Sequence, residues 1–131
     1  MKKYKIKTKG KRQKDVCDAL WNKIIKLRAK KRSELSGLEG MIAAHHICGK
    51  STYALRYSLD NGICLLNRSE HIYGIHSNDP MVVERFTARI KALRGQDIYE
   101  RLEPLKWNVG GTDLGFVDIY LRQELKKLEG K

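Results

Sequence analysis

The sequence predicts an α+β fold in one domain, a small two-stranded core embedded in α-helices and preceded by a basic N-terminal arm. Three observations lead there. The chain has 131 residues, enough for one modest core and not for two. Two apolar runs, 41–47 and 62–66, have strand length, whereas the flanking segments repeat their apolar residues at helical spacing. All four histidines, His45, His46, His71 and His76, fall on or just beyond those two runs, which marks the predicted strands as the part that carries chemistry.

Each element follows from its local pattern. Residues 1–14 alternate Lys with Tyr4, Ile6, Thr8 and Gly10, too few apolar groups for a core strand, and read as a flexible arm that orders on a partner. From Asp15 the spacing of Val16, Leu20, Ile24 and Leu27, with Trp21 beside them, predicts an amphipathic helix over 15–32. Lys23, Lys26, Lys30 and Lys31 lie largely off that stripe and give the helix a basic outer face; SELSGLEG, residues 33–40, ends it in a loop. The strand 41–47, a polar loop 48–61, the strand 62–66 and a short helix over 68–74, begun by Asn67 or Ser69, follow in order.

Asp79 and Pro80 supply an N-cap and a first-turn proline for a helix carrying Val82, Val83, Phe86, Ile90 and Leu93, which Gly95 ends. A shorter helix over 97–102 stops near Pro104, since proline breaks a helix interior. Thr112 or Asp113 caps a last helix with Leu114, Val117, Leu121, Leu125 and Leu128 on one face. The domain thus spans 15–131, with its core at 41–78 and a helical region at 79–131.

Composition excludes several classes. No apolar run approaches the ~20 residues of a membrane span, and the basic start MKKYKIKTKGKRQK lacks the apolar stretch of a signal peptide. Cys17, Cys48 and Cys64 form no CxxC pair and are odd in number, which fits a reduced, cytoplasmic setting and argues against a structural zinc site. Net charge is +12, and residues 1–32 hold 14 of the 27 Lys and Arg against two of the 15 acidic residues. Charge confined to one quarter of the chain suits a polyanion, and nucleic acid is the leading partner; a solvated basic tail is the plainer alternative.

His45 and His46 are neighbours on a predicted strand, so their side chains point to opposite faces, which argues against a single shared role. A lone histidine on an apolar strand is usually a core residue. Four gathered on a strand, loop and short helix point to a metal or catalytic site, because imidazole is a common ligand of Zn, Ni, Mn and Fe.

The run AHHICGKSTYALRYSLDNGICLLNRSEHIYGIHSN, residues 44–78, resembles the core of an HNH endonuclease, in which the first strand ends in His-His or Asp-His, the second begins with Asn, and a helix supplies the last His. It is most similar to small phage-borne HNH nucleases and recombination endonucleases. The resemblance covers about a quarter of the chain and extends loosely to DALWNKIIKLRAKKR and the helical tail. It implies a ββα-metal core, the His-Me finger, and a metal-dependent hydrolase of DNA phosphodiester bonds, encoded by a phage and working in the bacterial cytoplasm as monomer or homodimer.

The resemblance also implies roles. His45 is a ligand and His71 a second ligand of one divalent ion (Mg, Mn, Ni or Zn), His46 is the general base, and Asn61 braces the loop between the strands. Lys50, Arg56 and Arg68 would hold substrate phosphates, as would Lys23, Lys26, Lys30 and Lys31 on the basic helix. His76 is a further candidate ligand. Two departures stand out: the interval from Asn61 to His71 is one residue longer than the motif, and His71 and His76 are five apart, which on an α-helix separates them by ~140° at 100° per residue. The two Cys pairs that hold a structural zinc in many members are absent here; the corresponding stretches read RSELSG and NRSE, so packing by Leu35, Leu38 and Leu66 is expected in its place. A non-catalytic DNA-binding protein on a degenerate fold of this kind is the alternative, and a protein that folds around histidine-bound zinc is a third reading.

Overall fold

A computed structural model describes residues 8–110 and 112–130. It is a small α+β fold: helices around one two-stranded antiparallel sheet. The first helix, α1 (Lys9–Arg28), is followed by β1 (Ile42–His46), the short helix α2 (Tyr53–Tyr57), a single 3₁₀ turn (Leu59–Asn61) and β2 (Gly62–Leu66). A π-helix (Asn67–Ile75), α3 (Pro80–Arg94), α4 (Ile98–Leu102), a 3₁₀ turn (Glu103–Trp107) and α5 (Leu114–Glu129) complete the chain. Among the described residues no helix is long and apolar enough to cross a membrane.

Capping accounts for several starts. Asp79 accepts from Met81 N at 2.9 Å with Pro80 in the first turn of α3, and Asp113 accepts from Gly115 N at 2.7 Å to open α5. Gly95, at φ 109°, closes α3 with a conformation L side chains rarely adopt. Thr8 caps α1 by accepting from Lys11 N, so residues 9–14 of the expected arm are helical; residues 1–7 lie outside the described residues. At the other end α1 stops at Arg28, short of Arg32, where Lys30 and Lys31 both turn left-handed at φ 57°.

The register pairs Ala44 with Cys64, His45 with Ile63 and His46 with Gly62. Directly opposed residues share a face, so the two strands divide the interior between two clusters. On one side Ile42, Ala44 and Cys64 meet Cys17, Trp21, Ile24 and Ile25 of α1 and Leu121 of α5. On the other, Ile63 and Leu65 pack with Leu55, Ile90, Ile98 and Leu102.

The buried face of α1 runs through Cys17, Trp21, Ile24 and Ile25, one position round from the Val16–Leu20–Leu27 stripe; Val16 is 37% exposed. Gly62 explains the rotation. A Cβ there would lie 2.2 Å from Ile25 Cδ1 and 2.9 Å from Trp21 Cζ2, so the missing side chain is what lets this face of α1 seat against the sheet.

Carboxylates, more than leucines, finish the free edge of β2. Leu35 and Leu66 are partly buried, but Leu38 is 58% exposed. Glu34 N donates to Cys64 O at 2.9 Å and Glu34 Oε2 accepts from Cys64 N at 2.7 Å. Glu70 Oε1 accepts from Leu66 N at 2.7 Å and from Ser33 Oγ at 2.6 Å. RSELSG and NRSE therefore meet through Ser33 and Glu70, and backbone groups that would be orphaned at an edge are satisfied.

Candidate metal centre

β1 delivers His45 to the sheet face shared with Ile63, where it is 7% exposed and meets the π-helix. His71 and His76 come from that helix and its C-cap. The backbone closes between residues five apart, His76 N donating to His71 O at 2.9 Å, so the five-residue step that would split the pair on an α-helix instead brings them together. Their ring centroids lie 4.7 Å apart, and those of His45 lie 5.2 Å from His71 and 5.1 Å from His76. The helix expected over 68–74 is thus wider and longer, running Asn67–Ile75.

One ligand nitrogen from each of the three rings lies within 4.8 Å of the others. His71 Nδ1 is buried, and among the described residues nothing hydrogen-bonds to it. An orphaned buried nitrogen in a histidine cluster without an acid is costly for the protein alone and suited to a divalent cation. Burial, then the neighbouring His71, His76 and His46, pushes the His45 imidazole down to about 3, so its lone pair is available at neutral pH. Burial also lowers His71, with repulsion from His76 adding to it.

His46 points to the other face. Its ring lies flat on Trp21, centroids 3.9 Å apart and planes 3° from parallel, and Nε2 is 3.0 Å from Arg56 O. A carbonyl only accepts, so Nε2 carries the ring proton and Nδ1 keeps a lone pair. Burial lowers the His46 pKa despite the Arg56 hydrogen bond that raises it. Both histidine faces open on one cleft of ≈ 480 Å³, lined by His45, His46, His71, His76 and Lys50 among others.

Asn61, fully buried, holds the loop between the strands from within. Its Oδ1 accepts from Cys48 N at 2.7 Å, and Nδ2 donates to Gly49 O at 2.8 Å and Leu55 O at 2.9 Å. It touches the loop backbone and not the rings, which makes it a positioning residue for the segment that ends in Arg56 O.

The cationic candidates divide. Lys50 is exposed at the cleft mouth, and Arg68 is exposed on the π-helix. Arg56 already has an internal partner: Nε and Nη2 donate to Asp18 Oδ1 and Oδ2 at 2.6 and 2.7 Å. Burial alone would raise the Asp18 carboxyl, but hydrogen bonds from Arg56 and Tyr57 outweigh it and hold the pKa low. Lys23, Lys26 and Lys31 line a groove along α1 that shares Asp18 and Asn22 with the cleft; Lys30 is exposed beyond it, and Lys23 pairs with Glu129 at 3.4 Å. Sequence reasoning missed Asp18 altogether and took Trp21 only as a core residue, because each acts on a partner more than 20 positions away. Compared with protein-family profiles, with curated proteins and with solved structures, the chain finds no match.

Proposed function

We propose that this chain is a metal-dependent nuclease of the HNH type that hydrolyses phosphodiester bonds of DNA, nicking or cutting it. The observation that carries the reading is one cleft holding two unlike imidazole sites, the cluster His45, His71 and His76 and, on the other strand face, His46 with Nδ1 unprotonated. The three clustered rings would hold one divalent ion, which when bound stabilises negative charge on the phosphate and on the departing 3′ oxygen. His46 removes a proton from the attacking water at Nδ1, a role open to an imidazole that is neutral at working pH. Asn61 keeps the loop carbonyl that fixes the His46 tautomer in place. Lys50 and Arg68, with Lys23, Lys26, Lys30 and Lys31 on and beyond α1, contact phosphates and set position without reading sequence. Arg56 contributes through its backbone, its guanidinium being engaged by Asp18.

Supercoiled plasmid incubated with purified protein and Mn, Ni, Zn or Mg tests this reading. Nicked or linear product is expected with at least one ion, lost in His46→Ala while plasmid binding stays near wild type. Binding without cleavage under every ion would support the non-catalytic reading instead.

A further inference from the structure

We infer that α1 is part of the working site and positions its base: Trp21 holds His46 directly, and Asp18 holds it through Arg56. This rests on the nuclease reading for its catalytic consequence and on geometry alone for the positioning itself.

His46 is the last residue of β1, where the ladder ends and a side chain has few neighbours to select its rotamer. Two contacts replace them. One ring face is covered by the Trp21 indole, and the ring edge is tied to Arg56 O. Neither contact is loose. Trp21 Nε1 donates to Ser58 O at 2.9 Å, which sets the indole plane, and Gly62 opposite His46 leaves the space the indole occupies.

Arg56 is fixed by a two-bonded ion pair with Asp18, whose Oδ1 also accepts from Tyr57 Oη at 2.9 Å. A fork of this kind fixes orientation as well as distance. Asp18 and Trp21 are three apart on α1 and so share a helix face. Together they grip the segment from Arg56 to Ser58, with His46 between the two grips. The same helix carries Lys23 and Lys26 on the adjoining groove, so a nucleic-acid strand held there and the base beside it are referred to one rigid element.

The test uses the full chain with Asp18→Asn, Trp21→Leu and the conservative Trp21→Phe. NMR on histidine-labelled protein reads the base without any activity: wild type should show His46 ring protons shifted upfield by the stacked indole and a single Nε2–H tautomer. Trp21→Leu should remove the upfield shift, Trp21→Phe should keep part of it, and Asp18→Asn should give a mixture of tautomers. On plasmid, kcat should fall about tenfold or more in Trp21→Leu and Asp18→Asn, since small misplacements of a reacting group are costly. KM and Ni stoichiometry should stay near wild type, and Trp21→Phe should recover most of kcat. If Trp21→Leu does not fold, Trp21→Phe and Asp18→Asn carry the comparison. Unchanged His46 resonances across the variants overturn the inference, as does wild-type kcat in an Asp18→Asn protein. A wild type that cleaves nothing under any ion overturns the nuclease reading, and the resonances then decide the positioning separately.

Discussion

Ser33 Oγ donates to Glu70 Oε1 at 2.6 Å, and both residues are buried, at 3% and 4% exposure. The same carboxylate oxygen takes Leu66 N from the edge of β2, while Ser33 Oγ accepts from Leu35 N and Ser36 N. One carboxylate thus ties the loop after α1, the second strand and the π-helix together. Glu70→Ala leaves Leu66 N and Ser33 Oγ buried without this partner, and hydrogen bonds to a charged acceptor are among the costlier ones to lose. A loss of about 3 kcal/mol is expected in urea unfolding. A change below about 0.5 kcal/mol would show the junction to be incidental.

Asn61 makes three hydrogen bonds to loop backbone from a fully buried position. Asn61→Ala removes all three bonds, leaving Cys48 N and Gly49 O without this partner and Leu55 O with Ser58 N alone, at an expected cost of roughly 3 kcal/mol and with faster amide exchange at Cys48. Protection at Cys48 that survives the substitution would count against Asn61 as the brace.

Acid should unfold the metal-free protein earlier than its carboxylates alone require. His45 titrates near 6.5 when unfolded and at about 3 when folded, so between those values the unfolded chain takes up a proton the native state refuses. The contribution is whole above the unfolded value and falls away as pH drops through the window. From pH 7.5 to pH 5 His45 alone should cost about 2 kcal/mol, with His46 and His71, shifted in the same direction, adding to it. Urea midpoints in chelator at the two pH values test this; equal midpoints would rule it out.

Three imidazoles make a nitrogen-rich site, which suits Ni, Zn or Mn better than Mg, a cation that prefers oxygen ligands. Calorimetry should find one Ni or Zn per chain. His45→Ala, His71→Ala and His76→Ala should each weaken binding tenfold or more, and Mg should bind far more weakly. An unaltered affinity in His76→Ala would remove that residue from the centre.

What the sequence allowed to be read follows the range of the forces involved. The two strand segments, expected at 41–47 and 62–66 and found at 42–46 and 62–66, and the caps Asp79 and Asp113, the latter expected alongside Thr112, depend on neighbours in the chain and were legible there. The buried face of α1 was not, because Gly62, 37 residues from Ile25, selects it by what it lacks. The metal-centre candidates His45, His71 and His76 were legible as a cluster in sequence, but their convergence depends on π-helical closure, a backbone state no side-chain periodicity announces. Arg56 read as a free cation because Asp18 lies 38 positions earlier, on another helix.

The π-helix at Asn67–Ile75 changes what kind of change can make or unmake the centre. With closure between His71 and His76 the segment winds more residues into its turn than an α-helix does, and the three rings meet because of that width. Deleting a single position between Asn67 and Glu70 would let the helix tighten to the commoner α form and carry His76 away from His45, with every histidine still present. Length is therefore a heritable switch for this site, alongside residue identity, and one that a scan of point substitutions would never throw.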